Sequence, residues 1–184
     1  MPIAGTLYDE TIKNGYAKLL SVNRLVNAAS VTLTLDAAHD NFIINMDNIY
    51  CSDVAGVPYA WFSFDNGATW HNFYYWSASV LYQTYATTWG QHVSSVHGDS
   101  WIRLALNSAG GHPLSGRLRL FAGRQGFGDI AHLLWKIGSS GEYPFIQIGC
   151  GFPGLGNRPT HVVFYWSPGN ISGTVQMYGM KKGV

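Results

Sequence analysis

Apolar and polar residues alternate in short runs along most of this chain. Gly, Pro, Asn, Asp or Ser bounds each run, which is typical of half-buried strands in an antiparallel sheet. The clearest runs are eight in number, with room for a ninth: residues 30–36, 41–46, 59–64, 101–107, 116–122, 143–148, 161–166 and 173–179. The pattern predicts an all-β fold, an antiparallel two-sheet β-sandwich of jelly-roll type with eight or nine strands.

Two segments depart from this alternation. Residues 10–29 and 129–137 carry helical spacing, although Gly15 weakens a helix in the first segment and the second would be barely two turns long. Alternation starts abruptly at Ser30. We therefore predict an N-terminal arm, residues 1–29, that docks on another subunit, followed by a sandwich domain at residues 30–184. The alternating C-terminus predicts a last strand tied into the sheet.

Length and charge narrow the possible partners. A chain of 184 residues suits one domain, and only 11% of its residues are charged while 15% are aromatic. The net charge is +1 and no basic cluster extends beyond Lys181 and Lys182, so we expect no nucleic-acid partner. The N-terminus lacks a secretion signal and no window has the length of a membrane span, so we expect no membrane partner and no export by a signal peptide.

Residues 63–70 match the pattern Ser-x-Asp-x-Gly-x-Thr-Trp. This resembles the Asp-box hairpin of sialidases and many carbohydrate-active folds, where the motif recurs and usually lies away from the catalytic site. Here we expect Asp65 to accept hydrogen bonds from turn amides, Asn66 and Gly67 to adopt positive φ, and Trp70 to pack over the strand. The motif is interpreted as a structural turn.

No motif predicts a catalytic, cofactor-binding or metal-binding residue, and we expect the protein not to be an enzyme. Residues 149–154 match a dinucleotide fingerprint, but Pro153 and Pro159 exclude the helix that phosphate binding needs, so a Gly-rich loop between strands is predicted. The seven histidines show no metal-ligand spacing, and Cys51 and Cys150 lie too far apart in the chain for a zinc motif.

Residues 70–92 contain more aromatic side chains than one pair of strands can bury. We expect some of them to face a partner, through protein contacts or sugar stacking, while core packing accounts for the others. The candidates are Tyr74, Tyr75, Trp76, Tyr82, Tyr85 and Trp89.

The C-terminal part of the chain resembles virion proteins of tailed bacteriophages. The shared order is an apolar strand (161–166), a turn at Gly169-Asn170, then Ser172-Gly173-Thr174, an alternating strand (175–177) and Tyr178-Gly179. The resemblance spans residues 30–184 and is strongest over the last two strands. It implies no catalytic residue.

The resemblance implies a non-enzymatic, β-sandwich structural protein that decorates the capsid or forms part of a tail appendage. Its partners would be other virion proteins, with a homo-oligomer, such as a trimer, as the expected state, and its location the virion after synthesis in the host cytoplasm. The alternative is a carbohydrate-binding module that recognises a host glycan through exposed aromatics. A third hypothesis is a glycan-cleaving enzyme, which would need paired carboxylates in one cleft.

Overall fold

The computed structural model describes residues 17–83, 89–105, 112–122, 131–139, 145–153 and 158–180. Twelve β-strands and no helix occur within these residues, so none of them forms a helix long and apolar enough to cross a membrane. The strands are β1 (Ala17–Ala28), β2 (Ser30–Thr34), β3 (Asn41–Cys51), β4 (Val57–Ser63), β5 (Tyr74–Gln83), β6 (Trp89–Asp99), β7 (Ile102–Arg103), β8 (Leu114–Phe121), β9 (His132–Ser139), β10 (Phe145–Pro153), β11 (His161–Ser167) and β12 (Ile171–Met180).

The strands form two antiparallel sheets. The larger sheet has eight strands in the order β1-β12-β3-β8-β9-β10-β5-β6, and the smaller has four in the order β2-β11-β4-β7. The two-sheet antiparallel sandwich predicted from the sequence is confirmed, although its described part has twelve strands where eight or nine were predicted. The last strand, β12, lies between β1 and β3, which explains why the chain ends on an alternating pattern.

The hydrophobic core lies between the two sheets. Phe42, Ile44 and Leu118 point inward from the eight-stranded sheet, and Phe62 and Phe164 point inward from the four-stranded sheet, each with at most 1% of its surface exposed. Because successive residues of a strand point to opposite faces, this alternation puts one side of each sheet into the core and leaves the other side outside. Burying one such side chain contributes about 1.5–3 kcal/mol to folding.

The predicted N-terminal arm at residues 1–29 is corrected over its described part. Residues Ala17–Ala28 form β1, which pairs with β12 along the edge of the eight-stranded sheet. Two irregularities in the pairing, between Leu19 and Ser21 and between Leu25 and Ala28, shift the alternation and produce the helix-like spacing of the sequence. Residues 1–16 lie outside the described residues.

The helical spacing predicted for residues 129–137 is also wrong over its described part, because residues 132–139 form strand β9. Leu133, Trp135 and Ile137 alternate inward, while Leu134 is an apolar residue on the opposite, exposed face. An apolar residue on each face breaks the simple period of two and imitates helical spacing.

The Gly-rich loop predicted at residues 149–154 is a strand as far as residue 153, namely the end of β10. Its glycines make room for the core. A Cβ atom on Gly149 would stand 2.2 Å from the ring of Trp135, and one on Gly151 would stand 2.9 Å from Ile102. These glycines are therefore explained by close packing and not by a phosphate ligand.

Candidate functional site

Asp65 organises the turn that follows β4. Its Oδ1 accepts hydrogen bonds from the Ser63 hydroxyl (2.7 Å) and the Thr69 backbone N–H (2.9 Å), and its Oδ2 accepts one from the Thr69 hydroxyl (2.5 Å). Asn66 and Gly67 have φ values of 60° and 85°, in the left-handed region that the sequence predicts for them. The bonds from Thr69, then those from Ser63, lower the pKa of Asp65 to about 2.

The turn does not join a hairpin, which corrects the hairpin predicted from the motif. The strands on either side of it, β4 and β5, belong to different sheets. The returning chain closes on β4 through a hydrogen bond from the His71 N–H to the Phe62 carbonyl (2.8 Å), and the Asn66 N–H donates to the Thr160 hydroxyl (3.0 Å). Trp70 is partly buried. The motif thus links the two sheets of the sandwich.

Two of the six candidate aromatics belong to the core and do not face a partner. Tyr74 is fully buried and Trp76 is 5% exposed, because both point inward from β5. The Tyr74 hydroxyl accepts a hydrogen bond from the Phe62 N–H (2.8 Å), and the Trp76 indole N–H donates to the Asp99 carboxylate (3.0 Å). The side chains of Tyr75, Tyr82 and Trp89, and the whole of Tyr85, lie outside the described part.

A different set of aromatic rings lies on the outer face of the four-stranded sheet. We call it the aromatic row: Trp101, Tyr59, Tyr165 and Trp61. Ring centroids are 5.3 Å apart from Trp101 to Tyr59, 5.3 Å from Tyr59 to Tyr165, and 4.8 Å from Tyr165 to Trp61. All four side chains are partly exposed. The row therefore forms a continuous aromatic surface on the solvent side of the sheet.

Hydrogen bonds connect Trp61 to the segment that precedes Trp101. The Trp61 indole N–H donates to the Ser100 carbonyl (2.7 Å), and the Ser100 N–H donates to the Asp99 carboxylate (2.8 Å). The pKa of Tyr165 is raised above its usual value, first by burial and then by the neighbouring Tyr59 and Asp99, so its hydroxyl stays protonated at neutral pH. The centre of the surface is consequently uncharged at neutral pH.

A second surface lies on the outer face of the eight-stranded sheet. We call it the apolar patch: Leu134 on β9 and Ile146, Ile148 and Cys150 on β10. Leu134, Ile146 and Ile148 are 40%, 42% and 55% exposed, and Cys150 pairs with Leu134 across the two strands. The neighbouring positions on the same face are Ser77 and Ser79 of β5 on one side, and the basic residues Lys136, Arg117 and Arg119 on the other.

Neither surface is among the predictions made from the sequence, although the sequence contains a signal for the aromatic row. In residues 59–64 the aromatics occupy both parities of the strand, with Tyr59 and Trp61 on one face and Phe62 on the other. A strand whose two faces are both aromatic has one aromatic face directed away from the core.

The described residues contain no group of three or more His, Cys, Asp or Glu side chains that could hold a metal ion. Cys51 is buried and Cys150 is exposed, and both are free thiols.

Comparison with models of known protein families gives no match for this chain, and comparison with curated proteins gives none either. Among solved structures, the chain is similar to a legume lectin-like domain from Entamoeba histolytica, with 12% sequence identity and a TM-score of 0.36. The match covers 95% of this chain and 93% of that domain. At this level of similarity no function is transferred to this chain.

Proposed function

We propose that this protein is a non-enzymatic structural protein of a tailed-phage virion, and that it assembles through the outer face of its eight-stranded sheet. The C-terminal resemblance supports the virion part of the proposal. The observation that carries the assembly part is the apolar patch, in which Leu134, Ile146 and Ile148 each leave 40% or more of their surface to solvent. Contiguous apolar surface of this kind marks interaction sites.

The outer face has the dimensions of a protein interface. Eight strands spaced about 4.8 Å apart give a width of about 34 Å, and eight residues of strand give a length of about 26 Å. The projected area is then about 900 Å², which matches the roughly 800 Å² that each partner contributes to a stable complex. The face also combines an apolar centre with a polar and basic surround, as interfaces do.

We propose a second copy of this chain as the occupant, in a closed homo-oligomer. Closed symmetry is the usual solution for soluble assemblies. Covering the half-exposed side chains of the patch would contribute about 1 kcal/mol each, so the patch would be a central part of the contact and not the whole of it.

Sedimentation velocity of the purified chain tests the assembly. We expect an oligomer for the parent and for Val54→Asp, which places the same charge on a 64% exposed valine outside the patch. Ile148→Asp should shift the chain towards the monomer by at least about tenfold in dissociation constant, because the most exposed apolar side chain of the three would be replaced by a charged one that the contact would have to desolvate. A monomeric parent, or an Ile148→Asp variant that associates like the parent, would contradict the proposed assembly.

Mass spectrometry of purified virions tests the virion assignment independently. We expect the chain in particles at a copy number fixed relative to the major capsid protein. Its presence in infected cells but not in particles purified by density gradient would refute the assignment, whatever the oligomeric state.

A further inference from the structure

We propose that the aromatic row is a binding site for a neutral oligosaccharide. The site lies on the four-stranded sheet, on the opposite side of the sandwich from the apolar patch, so the inference goes beyond the proposed assembly and does not depend on it.

Tyr59 and Tyr165, at the centre of the aromatic row, are not among the side chains that pack against the core. Ala60, Phe62 and Phe164, which neighbour the row in β4 and β11, already point inward and are fully buried. Tyr59 and Tyr165 stack on each other on the outer side, with an interplanar angle of 26°. Such a surface offers ring faces to the apolar C–H groups of a sugar ring.

The row also offers hydrogen-bonding groups without partners of their own. In the part of the chain that the structure describes, neither the Tyr59 nor the Tyr165 hydroxyl has a hydrogen-bond partner. Ser30 and Thr32 are exposed on the neighbouring strand β2, and Ser30 pairs directly with Tyr165. A saccharide has apolar ring faces and a rim of hydroxyl groups, so it needs both kinds of contact from one site.

The charges around the row favour a neutral ligand. Asp99 accepts hydrogen bonds from the Trp76 indole (3.0 Å) and the Ser100 N–H (2.8 Å), and Arg103 donates its Nε–H to the Ala105 carbonyl (3.0 Å). Both charged groups are thus already engaged by the protein. A charged ligand would have to compete for them, whereas a neutral sugar uses the hydroxyl groups.

The size of the row favours a small ligand over a protein. An aromatic side chain presents about 150–250 Å², and all four members are partly buried, so together they leave a few hundred Å² to a ligand. A stable protein partner needs about 800 Å² on each side.

Titration calorimetry of the purified full chain tests the site, with neutral hexasaccharides of glucose, mannose, galactose and N-acetylglucosamine as separate probes. We expect at least one probe to bind. Tyr165→Ala should weaken that binding about tenfold through loss of one ring contact, while the matched control Tyr50→Ala, which removes a 46% exposed tyrosine of β3, should not. Substitution of Trp61 is avoided because it also packs against the core.

A second variant distinguishes loss of binding from loss of folding in Tyr165→Ala. The double variant Tyr59→Phe, Tyr165→Phe keeps both rings and removes both hydroxyls, and we expect it to bind about fivefold more weakly. Failure of all four probes to bind would overturn the proposal, and so would a parent affinity retained in both the alanine and the double phenylalanine variants. Ile148→Asp should bind the sugar normally, which separates this result from a failure of the proposed assembly.

Discussion

Replacing Tyr74 by Phe removes one oxygen atom from the centre of the sandwich. Tyr74 belongs to the eight-stranded sheet and is fully buried, and its hydroxyl accepts a hydrogen bond from the backbone N–H of Phe62 in the four-stranded sheet. The bond therefore connects the two sheets across the core. The phenylalanine ring fits the same space, so the substitution isolates the hydrogen bond from packing.

The decrease in stability expected for Tyr74→Phe follows from the surroundings of the Phe62 N–H. The neighbouring strand β7 pairs only with Tyr59 and Ala60 of β4. This pairing does not reach Phe62, so no carbonyl group of β7 accepts a hydrogen bond from the Phe62 N–H. In Tyr74→Phe this buried donor has no replacement acceptor, and leaving such a group unsatisfied costs about 1–3 kcal/mol. We expect that decrease in the free energy of unfolding, a large share of the roughly 5–15 kcal/mol that stabilises a typical domain.

Urea unfolding followed by tryptophan fluorescence measures this change, with Tyr165→Phe as the matched control. The Tyr165 hydroxyl has no hydrogen-bond partner within the described residues, so its removal should change stability by less than about 0.5 kcal/mol. If the two phenylalanine variants lose the same stability, or if Tyr74→Phe loses none, the hydrogen bond from the Phe62 N–H to the Tyr74 hydroxyl does not stabilise the fold.

Three further substitutions test other parts of the fold. Gly67→Val should lower the free energy of unfolding by about 1–3 kcal/mol because of the positive φ alone, since a Cβ at this position would meet nothing within 4 Å. The control Gly67→Asn should cost less, because asparagine tolerates positive φ better than valine does. Equal melting temperatures for Gly67→Val and the parent would refute the predicted strain. The pKa of Asp65 is lowered from 3.8 to about 2, so its contribution to folding stability is present above pH 3.8 and is lost as the pH falls towards 2. The stability of Asp65→Ala should therefore fall less steeply than that of the parent between pH 3.8 and 2. Parallel curves of stability against pH for the two proteins would contradict this prediction. Burial raises the pKa of Tyr74 above 10.0, so its contribution to folding stability is present below pH 10.0 and is lost as the pH rises further. Denaturant unfolding should therefore show a shallower loss of stability at alkaline pH in Tyr74→Phe than in the parent. An unchanged dependence of stability on pH would exclude Tyr74 as the source of the alkaline loss.

The alternation of the sequence was sufficient to predict a sandwich because most strands have one face in the core and one outside it. The strands that it missed break this condition. In β1 two pairing irregularities shift the parity, and in β9 the exposed Leu134 adds an apolar residue to the outer face. Such positions depend on long-range pairing, on which a local window carries no information.

The sequence could not divide the candidate aromatics between core and surface for a related reason. The density of aromatics in residues 70–92 predicts that some of them are exposed, but density does not distinguish the two faces of a strand. Tyr74 and Trp76 share one parity, and that parity points into the core. The informative pattern is an aromatic residue at an outward position of a strand whose neighbouring inward positions already fill the core. Tyr59 and Trp61 follow this pattern, because they flank the fully buried Ala60. Because a core residue is explained by packing and an outward aromatic is not, the outward one is where a ligand-binding role should be tested first.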